Sequence, residues 1–311
     1  MARRKITVIG AGRVGETTAH LLAEKALGDI VLVDVVPNVP QGKALDLLEE
    51  KPIDGNDVNI VGTNGYDETA GSDLVILTAG LPRKPGMSRD DLIVTNMEIV
   101  AGCTKSVVAR SPNTQLMVVA NPLDVMCYVA YKASGFPKNR VFGMAGVLDS
   151  ARFRTFLAME LGVSVKDVQA YVLGGHGDEM VPLVRYCAAG GIPISELLSQ
   201  ERIDAIVKRT QGAGGEIVKL LGFSAYFSPA HAAVAMAEAV LLDQKRILPV
   251  SAYLDGEYGT SGHYLGVPCL LGAGGVEKIF PLNLTDAEKV LLAKSIEAVK
   301  STTDVAKAKM G

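Results

Sequence analysis

Tryptophan is absent from this chain of 311 residues, and histidine and cysteine occur four times each. Each scarcity excludes something. Cys103, Cys127, Cys187 and Cys269 lie far apart with no C-x-x-C pair, so neither a zinc knuckle nor a thioredoxin-type motif is available. A chain of this length builds a core without disulfides, and a reducing compartment is the expectation. His20, His231 and His263 have no clustered Cys or His partner, so no metal site is expected. No apolar run reaches the roughly 18 to 20 residues of a membrane span. The basic Arg3-Arg4-Lys5 leads directly into Ile6-Thr7-Val8-Ile9-Gly10, too short for the apolar core of a signal peptide, and a cytoplasmic location is expected. A basic excess is lacking too. Lys and Arg number 31 against 34 Asp and Glu, a net charge of −3, which argues against nucleic acid or a membrane surface as partner.

What is present is ordinary globular material, 48% hydrophobic and 21% charged. The length suits two intimately packed domains, and the pattern changes near residue 145. Before it, short apolar runs alternate with helical stretches. Lys5–Ile9, Ile30–Asp34, Asp73–Ala79 and Gln115–Ala120 read as strands covered on both faces, as in a parallel sheet. A helix follows from about Val14 to Ala26. Ser88-Arg89-Asp90-Asp91 resembles a capping box, and Ile93, Met97, Val100, Cys103 and Val107 form one stripe of the helix it opens, which makes Cys103 a packing residue. This alternation predicts an α/β fold, a Rossmann-type doubly wound parallel sheet over residues 1–145. Residues 146–311 read as an α+β substrate or catalytic domain. It has helices at Ser150–Leu161, Glu201–Leu221 and Pro229–Leu242, and strands near Val168–Leu173, Val250–Leu254 and Tyr264–Leu271. A last helix opens on the capping box Thr285-Asp286-Ala287-Glu288.

Three constellations carry chemistry. Gly10-Ala11-Gly12-Arg13-Val14-Gly15 is a G-x-G-x-x-G loop, which chance alone supplies about 0.4 times in a chain this rich in glycine. Its context is the stronger signal. A strand precedes it, a helix opens from it, and Asp34 ends the next strand, where a carboxylate binds a ribose 2′-hydroxyl and repels a 2′-phosphate. NAD is therefore expected over NADP, and nearby Lys43 reads as part of a solvated helix face. The second constellation, Gly80 to Arg89, packs Arg83, Lys84 and Arg89 among prolines and glycine. It suits an anion-clamping lid, and equally a solvated basic loop. The third is His176 in Gly174-Gly175-His176-Gly177-Asp178. Asp149 and Arg152, three apart on one helix face, could orient the imidazole and grip a carboxylate, and Asn121 could donate to a substrate or cofactor oxygen. Each residue also has a bland reading as a helix-start acid, a surface cation or a turn residue.

Together these residues resemble, from end to end, the NAD-dependent lactate/malate dehydrogenase superfamily, in particular its malate dehydrogenases built like lactate dehydrogenase. Pro40 to Ala44, Asn121-Pro122-Leu123-Asp124 and Gly272 to Val276 add to the likeness. The resemblance implies His176 as proton donor and acceptor, Asp149 as its partner, Arg152 on the substrate C1 carboxylate and Arg89 polarising the reacting oxygen. It also implies Gly10, Gly12, Arg13, Val14, Gly15, Asp34, Asn96 and Asn121 as cofactor contacts. Six residues before Arg89, lactate dehydrogenases carry a neutral Gln and this chain has Arg83, which suits the second carboxylate of malate or oxaloacetate. Malate oxidation in the tricarboxylic acid cycle by a homodimer or homotetramer is the implied function. An L-lactate or broad 2-hydroxyacid dehydrogenase is the alternative, and a non-catalytic NAD-sensing module a second. Pro37 and Ala120 depart from the family pattern, where Glu and a hydroxyl residue are common, and put only fine cofactor geometry in doubt.

Overall fold

The computed structural model describes residues 3–81 and 89–310, with the side chains of residues 89 and 90 outside the described set. The chain starts β1 (Lys5–Ile9), α1 (Arg13–Glu24), β2 (Asp29–Val33), α2 (Val39–Asp54) and β3 (Ile60–Thr63). It continues β4 (Leu74–Leu77), α3 (Arg89–Val108), β5 (Gln115–Val118), α4 (Leu123–Ser134), β6 (Val141–Gly143) and α5 (Gly146–Leu161). These six strands pair in parallel in the order β3-β2-β1-β4-β5-β6, the doubly wound arrangement whose direction reverses between β1 and β4. Burial explains the uniform apolar runs. Leu74, Val75, Ile76 and Leu77 are all inaccessible because helices cover both faces of the sheet.

Short strands come next: β7 (Val168–Gln169), β8 (Val172–Leu173), β9 (Val181–Pro182), β10 (Ala188–Ala189) and β11 (Ile192–Pro193). The chain then forms α6 (Ile194–Leu197), α7 (Gln200–Leu221), α8 (Phe227–Leu241), β12 (Arg246–Asp255), β13 (Ser261–Gly272), β14 (Gly275–Ile279) and α9 (Asp286–Met310). The run read as one strand at Val168–Leu173 is two, in different sheets, because the chain switches partners at Ala170 and Tyr171. The hairpin of β12 and β13 is longer than its apolar centres suggested. With β14 it extends the first sheet to nine strands, joined where Ser251 lies opposite Gly143. The capping box of α9 forms as read: the Thr285 N–H donates to Glu288 Oε2 at 2.8 Å, and the Glu288 N–H to Thr285 Oγ1 at 3.3 Å.

One reading needs correction. Lys43 is half-buried rather than solvated, its Nζ donating to Ala11 O at 2.7 Å and pairing with Glu16, so it ties α2 to the glycine loop. Cys103 packs against the core as read, at its edge, where with Tyr66 it also lines a cleft beside Asp34. Burial raises the pKa of both Cys103 and Tyr66.

Candidate active site

The chain leaves β1 through Gly10, whose N–H donates to Val33 O at 2.7 Å, and turns at once into α1. Gly15 is pressed against that turn, and a Cβ there would lie 1.7 Å from Gly10 O. Asp34 fixes the loop from the end of β2, accepting from the Ala11 N–H at 2.6 Å and the Val36 N–H at 3.0 Å. No side chain caps α1, so its first amides and the positive end of its dipole are available to an anion. The residues fit a dinucleotide on two counts. A Cβ at Gly12 would meet nothing within 4 Å, so the loop has an open side. A cleft of about 340 Å³ also runs past Gly10, Asp34, Thr78 and Gly80, at the switch point of the sheet.

Beyond the glycine loop a second depression, of about 320 Å³, is lined by Val14, Asn121, Arg152 and His176. Helix α5 supplies Asp149, 1% exposed, and Arg152 one turn further on. The Asp149 carboxylate is shared: Oδ2 accepts from His176 Nδ1 at 2.8 Å and Oδ1 from Arg152 at 3.2 Å. That contact places a proton on Nδ1 and leaves Nε2 as the atom that exchanges one. Burial alone would lower the imidazole pKa. The charges and hydrogen bond of its carboxylate neighbours outweigh burial and the nearby Arg152, and the pKa is raised above the usual value. Arg152 is almost enclosed, and its Nε–H finds no acceptor among the described residues. A carboxylate from a ligand would satisfy it.

The structure thus brings Gly10, Gly12 and Asp34 to one cleft and Val14, Asn121, Arg152 and His176 to another, with Gly15 buried under the glycine turn and Asp149 buried beside His176. The side chains of two expected cofactor contacts are engaged by the protein itself. Asn96 is 1% exposed and saturated by backbone: its Nδ2 donates to Leu81 O at 3.1 Å and Asn121 O at 2.7 Å, and its Oδ1 accepts from Leu81 N at 2.7 Å. It pins the ends of β4 and β5 rather than reaching into the cleft. Arg13 stacks its guanidinium 3.4 Å from the Phe223 ring centroid, joining the glycine loop to the corner between α7 and α8. The expectations for Arg83 and for the Arg89 side chain lie outside the described residues. Sequence reading assigned no role to Asp124, whose carboxylate accepts from the His176 N–H at 2.8 Å, although it stands in the quoted Asn121–Asp124 motif.

A dinucleotide-binding sheet that carries beside it a carboxylate-held imidazole and a nearly enclosed guanidinium defines an oxidoreductase of the dehydrogenase class. Residues 4–143 match the lactate/malate dehydrogenase NAD binding domain, and residues 146–310 match the lactate/malate dehydrogenase alpha/beta C-terminal domain. The chain belongs to the lactate/malate dehydrogenase family. It is 60% identical over 308 residues to a malate dehydrogenase of Geobacillus thermodenitrificans, covering 98% of this chain and 99% of that one. Among solved structures it is similar to the Salinibacter ruber malate dehydrogenase, at 54% identity and TM-score 0.94 over 98% of both chains. It is also similar to the Cryptosporidium parvum lactate dehydrogenase complexed with lactic acid and nicotinamide adenine dinucleotide, at 44% identity and TM-score 0.95 over 98% of both chains.

Proposed function

We propose that the chain is an NAD-dependent malate dehydrogenase that interconverts (S)-malate and oxaloacetate. The observation that carries this reading is the single buried carboxylate of Asp149, bonded at once to His176 and Arg152. It sets a proton-exchanging group beside a carboxylate-binding group, next to the cofactor cleft. Bound NAD supplies the hydride acceptor, and as NADH the donor. Arg152 binds the substrate C1 carboxylate, which fixes the carbinol or carbonyl carbon near His176. In oxidation neutral His176 takes the hydroxyl proton at Nε2, and Asp149 stabilises the imidazolium that results. In reduction the imidazolium returns that proton to the oxygen, assisted by the Asn121 amide and by Arg89. Glycines 10, 12 and 15, with the amides of Arg13 and Val14, receive the pyrophosphate, and Asp34 the adenosine ribose.

Substrate choice rests on Arg83, which pairs the second carboxylate of a dicarboxylate. The fold is shared with lactate dehydrogenases, so it does not separate the two substrates. The enzyme is tested by following NADH absorbance near ~340 nm with oxaloacetate and with pyruvate at matched concentration. Consumption with oxaloacetate alone is expected, and consumption with pyruvate alone would reverse the substrate assignment. The assignment of residues 1–145 to cofactor and 146–311 to substrate belongs to the same proposal. So do a homodimer or homotetramer and a cytoplasmic place in the tricarboxylic acid cycle. Among the described residues no helix is long and apolar enough to cross a membrane. Light scattering of the purified protein measures the oligomer.

A further inference from the structure

His176 is held by two carboxylates, and only one of them belongs to the reading above. Asp124, in the first turn of α4, is 5% exposed. Its Oδ2 accepts from the His176 main-chain N–H at 2.8 Å, and its Oδ1 accepts from the Ser251 hydroxyl of β12 at 2.6 Å. The loop that carries His176 is shaped to reach it. Gly175 donates its N–H to Ser295 Oγ of α9 at 2.9 Å. A Cβ on Gly175 would stand 2.4 Å from Val299 and 3.4 Å from the Asp124 carboxylate, so a side chain there would push the loop off its seat.

We propose that Asp124 is the positioning residue of the proton-carrying histidine, seating its loop through the main-chain N–H and setting a second negative charge behind the imidazolium. This inference rests on the reading of His176 as the proton carrier. Among the described residues, the groups that face the pair are few. Helix α5 contributes Asp149 and Arg152, and α4 contributes Asp124 with Cys127 beside it. Ser251 of β12 and Ser295 of α9 are neutral, and Asp178 and Glu179 follow in the same loop. Burial raises the Asp124 pKa, opposed by the donors from Ser251 and His176, and burial keeps the Cys127 thiol neutral. Among the charges around the imidazole, Asp149 and Asp124 favour its protonated form and Arg152 opposes it.

Asp124→Asn separates charge from shape. The amide oxygen still accepts from the His176 N–H, and the amide nitrogen donates to Ser251 Oγ, reversing that bond, so the shape is kept and the charge is lost. Two readouts are taken on the full chain: the NMR titration of the His176 imidazole, assigned by its disappearance in His176→Asn, and the pH dependence of kcat/KM for oxaloacetate. The His176 midpoint should fall by about half a unit to one unit, and the alkaline decline of oxaloacetate reduction should move down with it. A midpoint within about 0.2 unit of wild type would overturn the inference and leave Asp124 as ordinary loop support. A midpoint that moves while the rate profile stays would instead overturn the proton-carrier reading. If the Asn variant does not fold, Asp124→Ser serves in its place. Its hydroxyl also carries no charge and should lower the His176 midpoint in the same direction, by about half a unit to one unit. An unmoved midpoint there would also count against the inference.

Discussion

The glycine loop after β1 and the glycine loop that carries His176 both press backbone hard against a neighbour, but they are held from very different distances along the chain. Asp34, the anchor of the first, is 23 residues from the amide it fixes, on the adjacent strand. The second loop is held from 52 residues away by Asp124 and from 120 residues away by Ser295, while Asp124 itself is held from 127 residues away by Ser251. The anchor of the first loop therefore lies within one βαβ unit, whereas the seat of the second exists only once α4, α5, β12 and α9 have all packed. A locally held site loses affinity when its own backbone is disturbed. A site assembled from afar loses chemistry when any one of several contributors fails.

The comparison is broken most sharply by His176→Asn. Turnover with oxaloacetate should fall by roughly a thousandfold while the NADH dissociation constant, read by fluorescence, stays within about twofold. Turnover close to wild type would remove His176 from the chemistry. Gly15→Ala attacks the other end. The new Cβ cannot coexist with Gly10 O, so the α1 turn must shift, and NADH affinity should fall by about tenfold or more, with a lower Tm as the turn strains. Unaltered NADH titration would show that the loop tolerates the move. Asp34→Gly should narrow the preference for NADH over NADPH by about tenfold, since the carboxylate that repels a 2′-phosphate is gone. Equal selectivity in the two proteins would mean that no ribose contact exists.

The smallest expected effect lies away from both sites. His263, on β13, is inaccessible, its Nδ1 has no partner among the described residues, and burial with Lys307 nearby lowers its pKa below the 6.5 of a free imidazole. Because the folded pKa is the lower one, the unfolded chain takes the proton first. Stability from this group is present above the unfolded value and declines as pH falls towards the folded one. His263→Gln should lessen the Tm lost on acidification from about pH 7 to about pH 5 by one or two degrees. An identical acid-side loss would place the titration elsewhere.

What was legible in the sequence follows the same division. β1, the glycine loop, α1 and β2 lie where alternation and the G-x-G-x-x-G spacing put them, because each depends on residues a few places away. β3 went unread: Ile60–Thr63 is four residues long and carries Gly62, which admits Pro40 O where a Cβ would sit at 2.0 Å. The extension of the sheet by β12 to β14 was illegible for another reason, since pairing across a hundred residues leaves no periodic trace. His176, Asp149 and Arg152 were legible from their motifs. The seats of Lys43, Arg13 and Asn96 were not, because each is decided by a partner on another element.

The last helix has a consequence for how the protein is made. Ala306 and Val305 of α9 belong to the same apolar cluster as Ile9, Val33, Leu77 and Val118, and α9 packs on α3 and α4. β1 thus waits during synthesis for a helix far downstream of it in the chain before its covering layer is whole. During synthesis, at about 5 to 20 residues per second, the emerging nucleotide-binding sheet stands partly uncovered for some tens of seconds or less. In that interval its apolar face is open to whatever the cell offers first, a chaperone or a neighbouring nascent chain.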